Sequence, residues 1–296
     1  MALQRRLGII FLLALLLLFA CKKEAEKPRI AEAQARYEAE HRELPEPVDS
    51  LPPAVPSLKN YKYTWDEAEG IPPLVIIIDD FGNSAGQLLE DFADLPPELV
   101  FAIIPDLSHT KTAVQAAQKG GHEAIIHVPM EAEDSKANPG KRYIKAGMPH
   151  DEISALMQDF IAQVPTAIAI NNHMGSKATS DYHTMHSVIS SLKYNGLFFV
   201  DSATTAKSAA FTAADELGIR YAKRDIFLDV PDVSDATLVQ KINSLAKYKG
   251  RTEPIIIITH CHNRAKLDGL KKFITQVEEM GIRLISLRSA MRLISA

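Results

Sequence analysis

Leu74-Val75-Ile76-Ile77-Ile78-Asp79-Asp80-Phe81-Gly82 decides the reading of this chain. Five aliphatic residues end in two adjacent carboxylates, and a buried strand has no use for charge unless its end opens into a site. Neighbouring side chains on a strand point to opposite faces, so the two carboxylates are expected to take different jobs, one holding a cation and one moving protons. Working outward, the same pattern recurs. Ile125-Ile126 runs into His127, Ala167 to Ile170 into Asn171-Asn172-His173, Leu197 to Val200 into Asp201, and Ile255 to Thr259 into His260-Cys261-His262.

Between these runs lie amphipathic segments, Lys111 to Lys119, Asp151 to Val164, His183 to Asn195, Ala209 to Leu217 and Arg264 to Met280. Four of them stop at glycine before the next apolar run, the C-cap expected where a helix hands over to a strand. Alternating strands and helices predict a parallel sheet. Further strands are expected at Val100 to Ile104, Ile226 to Leu228 and Arg283 to Ile285. No glycine-rich dinucleotide fingerprint is present, so seven or eight such strands lead to the expectation of an α/β fold closed into a barrel or distorted barrel, its active site at the C-terminal ends of the strands.

Those ends collect metal-competent side chains. Asp80, His127 and His173 come from three different strands and supply the ligand count of a catalytic divalent metal, with Zn²⁺ suited to the donor set. Glu131, four residues after His127, is an alternative ligand. Asp79 is the candidate base and His260 the candidate acid. Asp201 is expected to orient that histidine and Arg224 to hold Asp79, with Asp225, Asp229 and His262 as further metal or supporting groups. Cys261 ranks low as a nucleophile, and His109, His122, His150, His183 and His186 are read as solvated or capping residues.

The first residues carry a different message. Arg5 and Arg6 precede an apolar stretch from Gly8 to Ala20, and Leu18-Phe19-Ala20-Cys21 resembles a bacterial lipoprotein signal. Residues 1–20 are thus expected to be removed, Cys21 to be lipidated, and residues 21–65, rich in Pro, Glu and Lys, to tether a domain spanning 66–296. The anchor implies a membrane-held protein of the bacterial envelope, in the outer membrane if the cell has two. A net charge of −4, with 33 Lys plus Arg against 37 Asp plus Glu, excludes a nucleic-acid partner.

From about Leu74 to about Leu287 the motifs resemble the polysaccharide deacetylase superfamily, and more closely its divergent branch. Ile77-Ile78-Asp79-Asp80-Phe81-Gly82 looks like its first motif, with a base followed by a metal ligand, and Gly121-His122-Glu123 leading to His127 looks like the second. Asn171-Asn172-His173-Met174-Gly175-Ser176, Phe199-Val200-Asp201-Ser202, Arg224 to Asp229 and Ile258 to His262 resemble the branch's later signatures. The resemblance implies a distorted (β/α)7-type barrel of about seven strands, a divalent metal, usually zinc, and hydrolysis of an N- or O-acetyl group on an envelope glycan. The second motif's usual final histidine is replaced by Glu131, and the usual base-positioning arginine motif is absent from its place. Loss of turnover with retention of glycan binding is therefore the competing expectation, and a metal-dependent phosphoesterase or peptidase the third.

Overall fold

The computed structural model describes residues 57–65 and 68–294. The expected leader, Cys21 and most of the expected tether lie outside those residues. Eight parallel strands form one curled sheet: β1 (Leu74–Phe81), β2 (Val100–Ile103), β3 (Glu123–Met130), β4 (Ala167–Met174), β5 (Phe198–Asp201), β6 (Tyr221–Lys223), β7 (Ile226–Phe227) and β8 (Ile255–His260). Among them run α1 (Gln87–Ala93), α2 (Thr110–Gly120), α3 (His150–Gln163), α4 (Tyr182–Asn195), α5 (Ala210–Leu217), α6 (Asp235–Ser244), α7 (Arg264–Glu279) and α8 (Leu287–Leu293). Left-handed Gly196 and Gly218 terminate α4 and α5, a conformation that a residue with a side chain adopts only at a cost.

The sheet order is β6-β5-β4-β3-β2-β1-β8-β7, so its two edges, β6 and β7, are consecutive in the chain. The switch occurs within one peptide unit. Arg224 donates its backbone N–H to the Asp201 carbonyl at the end of β5, while Asp225 donates to that of Ile256 in β8. Counting β6 and β7 as one interrupted strand recovers the expected seven, in a half-barrel closed by this crossing.

Two cores follow from strand alternation. Leu74, Ile76, Ile78, Phe101 and Ile103 face the helices, whereas Val75, Ile77, Val100, Ala102, Ile256 and Ile258 fill the inside of the curl. Leu287, Ala290 and Met291 of α8 pack into that inner core, and the Arg288 backbone N–H bonds to Glu123 at the start of β3. The helix thus plugs the N-terminal mouth and leaves the opposite end for chemistry.

Three expectations change here. Arg283 to Ile285 is no strand; only Leu284 makes an isolated bridge, to Leu74. Residues 57–65, read as the end of the spacer, dock on the domain. Leu58 is buried, the Trp65 indole N–H donates to Ile242 O at 3.3 Å, and Lys59 pairs with Glu279 of α7. His122 is buried, not solvated, and it meets the terminal carbonyl of α1. Its ring is buried against Phe101, with its two nitrogens 3.1 Å from the carbonyls of Leu99 and Ala93, and burial pulls its pKa below the ordinary value despite those bonds.

Candidate metal centre and its acid–base groups

The strand that opens the site is irregular where it matters. The register of β1 against β2 shifts between Ile78 and Phe81, and Asp80 sits at φ +73°. Regular alternation would send Asp79 inward and Asp80 toward the helices. The bulge overrides it and turns both carboxylates onto one histidine, with Asp79 Oδ2 3.6 Å and Asp80 Oδ1 3.3 Å from His127 Nε2. Aspartate tolerates the left-handed backbone better than most residues, and such strain concentrates at functional sites.

Asn171 organises the base of the cluster. Its Oδ1 lies 2.7 Å from His127 Nδ1, and its Nδ2 donates to Asp79 Oδ1 at 2.8 Å. A carbonyl oxygen only accepts, so His127 carries its proton on Nδ1. Burial holds the ring below its ordinary pKa, hence neutral, and Nε2 presents a lone pair. Around that lone pair stand Asp80 Oδ1 at 3.3 Å and His173 Nδ1 at 3.2 Å, themselves 3.0 Å apart. These separations are close to the roughly 3.3 Å expected between two ligand atoms that sit about 2.0–2.1 Å from a tetrahedral zinc ion. Asp80 Oδ1 is buried without a hydrogen-bond partner. A buried carboxylate oxygen facing two ring nitrogens, one of them a lone pair, is a constellation that a divalent cation completes, and the residues therefore fit the expected metal.

His262 joins the cluster from a different role. Lys266 Nζ donates to its Nδ1 at 3.2 Å, which leaves the ring proton on Nε2, and that proton goes to Asp80 Oδ2 at 2.5 Å. His262 therefore holds the second oxygen of Asp80 and leaves Oδ1 to the cluster. Burial by itself would raise Asp80, but the imidazoles of His127, His173 and His262 outweigh it and keep the carboxylate far below its usual range. Asp79 moves the other way. Burial first, then the Asp80 charge, push it well above the ordinary carboxylate value against the pull of Asn171 and Arg224.

On the neighbouring strand, His260 Nδ1 donates to Asp229, 2.9 and 3.1 Å from its two oxygens, and Lys266 Nζ lies 2.7 Å from Asp229 Oδ2. Burial of Asp229 is offset by these two partners, so its pKa lies below normal. The expectation that Asp201 orients His260 is corrected. Asp201 instead accepts from the Ala203 N–H at 2.7 Å and the Tyr221 hydroxyl at 3.0 Å on the far side of the sheet. Sheet order explains it, since β7, which leads to Asp229, adjoins β8 and β5 does not.

Three other supporting roles are also reassigned. Arg224 donates to the carbonyls of Ser202 and Ala203 at 2.7 and 2.9 Å and lies over the Phe227 ring, so it reaches Asp79 only through space. Asp225 is locked by Arg251 at 2.7 and 2.8 Å and caps the Ile256 N–H at 2.9 Å, a seam contact away from the cluster. Glu131 pairs with Lys177 at 2.7 Å and accepts from the Ala146 N–H at 2.9 Å; the Asp80–His127–His173 cluster forms without it. Cys261 keeps its thiol protonated, its pKa pushed up by burial and by the nearby Asp80 and Asp79 charges. Asn171, Asp229 and Lys266 are the groups whose roles the sequence left open or missed.

The Escherichia coli (strain K12) protein YibQ is 35% identical over 192 residues, covering 64% of this chain and 58% of that protein. A Haemophilus influenzae protein is 36% identical over 157 residues, covering 53% and 55%. The chain thus spans a little over half the length of these relatives. The crystal structure of ATU2773 from Agrobacterium tumefaciens C58 shares the fold, with a TM-score of 0.65 at 20% identity over 78% of this chain and 94% of that one. The sequence pattern of one family matches residues 76–291, which includes both aspartates, all three site histidines of the central cluster and the His260–Asp229 pair, and the chain therefore belongs to the divergent polysaccharide deacetylase family.

Proposed function

We propose that this protein is a metal-dependent hydrolase that removes acetyl groups from an envelope polysaccharide or a related glycan, held at a membrane through lipidated Cys21. The observation that carries the reading is the neutral His127, tautomer fixed by Asn171, whose lone pair meets Asp80 Oδ1 and His173 Nδ1 at 3.3 and 3.2 Å. A divalent cation, Zn²⁺ by the donor set, would be held by Asp80, His127 and His173; when bound it polarises a carbonyl and lowers the pKa of water toward ~7. Asp79 stands beside the cluster to take the proton from the attacking water. Its raised pKa, caused by burial and by Asp80, gives it the basicity that task needs. His260 serves the leaving group. Asp229 accepts from its Nδ1–H and fixes the orientation of the ring, which leaves the other nitrogen for proton transfer to the leaving group.

The test is metal analysis of the full chain purified without chelator, beside His127→Ala and His173→Ala, followed by acetate release from acetylated amino-sugar oligomers. One ion per chain, lost in both variants, with acetate released only by the wild type, is the expected result. A chain that carries no metal overturns the hydrolase reading in favour of a glycan-binding protein. The anchor is tested apart: Cys21→Ser is expected to abolish incorporation of labelled fatty acid and to release the protein from membranes.

A further inference from the structure

The seam that closes the half-barrel borders a cavity of 420 Å³ whose lining includes Arg224, Asp225, Phe227, Lys241 and Lys247. Its size is that of a small-ligand site. None of the metal-cluster residues lines it, yet it adjoins the candidate acid, because Phe227 on its wall stacks with the His260 ring at 5.7 Å between centroids. The Arg224 guanidinium lies 3.6 Å over that same Phe227 ring. One ring contact and one cation–π contact thus separate His260 from the cavity's first charge, a span that a disaccharide covers.

The charge of the lining is unbalanced. Arg224 gives its hydrogen bonds to the two carbonyls of Ser202 and Ala203, and among the described residues neither it, Lys241 nor Lys247 lies within ion-pair distance of a carboxylate. The single acid of the lining, Asp225, is taken up by both nitrogens of Arg251 and by the Ile256 N–H. Lys241, half-buried on α6, feels the crowding. Burial first, then Arg224 and Lys247, pull its ammonium below the ordinary value, although Asp229 opposes them. Lys247 lies over the Tyr248 ring at 4.7 Å, so the three cations have carbonyl or ring partners at most and no carboxylate in ion-pair contact, an imbalance that a bound anion would relieve.

We infer that this cavity binds an anionic substituent of the glycan, a carboxylate or a phosphate one or two sugar units from the acetyl group, and so selects acidic polysaccharide as the substrate class. The inference rests on the hydrolase reading for the glycan but not for the anion. Planar Arg224 beside two flexible lysines suits an oxyanion with several acceptor oxygens. Neutral sugars would leave the three charges uncompensated.

Calorimetric titration of the full chain with inorganic phosphate and, separately, with glucuronate tests the site directly, using the wild type, Lys241→Gln, Lys241→Arg and the surface control Lys193→Gln. Saturable binding of at least one probe is expected, weakened about tenfold or more in Lys241→Gln and kept in Lys241→Arg and Lys193→Gln. Which probe binds identifies the anion. Binding of neither, or equal binding by Lys241→Gln with its metal content intact, overturns the site. Probe binding without acetate release from any glycan would keep the cavity and remove the hydrolase; acetate release without probe binding would do the reverse.

Discussion

Asn171 shows how much one uncharged side chain can decide. It fixes the tautomer of His127 and anchors Asp79, so both the lone pair of the cluster and the position of the candidate base depend on it. Asn171→Ala should leave the fold intact but weaken metal binding about 10- to 100-fold, as expected when the outer partner of a ligating histidine is lost; competition with a chromogenic chelator measures it. The Asp79–Asp80 pair also predicts a stability signature in the metal-stripped protein. The folded pKa of Asp79 is raised above its ordinary 3.8, so its contribution is intact below that pH and is lost as pH rises through the folded value. Asp79→Asn should therefore melt higher than wild type at neutral pH and equally at about pH 3, with the gap opening as the wild-type carboxyl ionises. The residue scale was largely legible in the sequence, because Asp79, Asp80, His127, His173 and His260 each end an aliphatic run. Asn171 stood in the same motif without announcing a role, since an amide acquires one only when its neighbours are placed. The choice between Asp201 and Asp229 turned on which strand adjoins β8, and linear order does not give that.

Among the elements, the long apolar runs announced themselves and the short ones did not. β1, β3, β4 and β8 carry four or more buried residues each, whereas β6 and β7 have three and two residues and borrow their pairing from β5 and β8. α1, α6 and α8 are only 7–10 residues long, too short for their periodicity to stand out against the loops. The bulge in β1 was also hidden, because nothing in Ile-Ile-Asp-Asp-Phe states that alternation will fail there. At the seam, Asp225 and Arg251 bind the crossing segment to β8 through paired hydrogen bonds. Arg251→Gln should lower stability by about 1–3 kcal/mol, the cost of leaving a half-buried carboxylate short of its partner, while metal content stays unchanged. Urea unfolding beside metal analysis separates the two effects.

For the whole molecule, the expected distorted β/α barrel holds as a curled half-barrel of parallel strands, since alternating strands and helices leave few other arrangements. The boundary at residue 66 does not, because one buried leucine and one tryptophan in a Pro-rich neighbourhood give no periodicity to read. Leu58 tucks against the domain and Trp65 reaches the end of α6. A chain beginning at Ala68 should be less stable than one beginning at Val55 by at least the roughly 1.5–3 kcal/mol of burying a leucine, and thermal melts of the two will show it. The seam has a consequence of another kind. A sheet normally ends in rows of unused N–H and C=O groups that invite a strand from another molecule. Here both ends fall within one run of chain, three and two residues long, and the long strands are flanked on both sides. At high local concentration, the described residues therefore offer neighbouring molecules only these two short edges as templates for edge-to-edge aggregation.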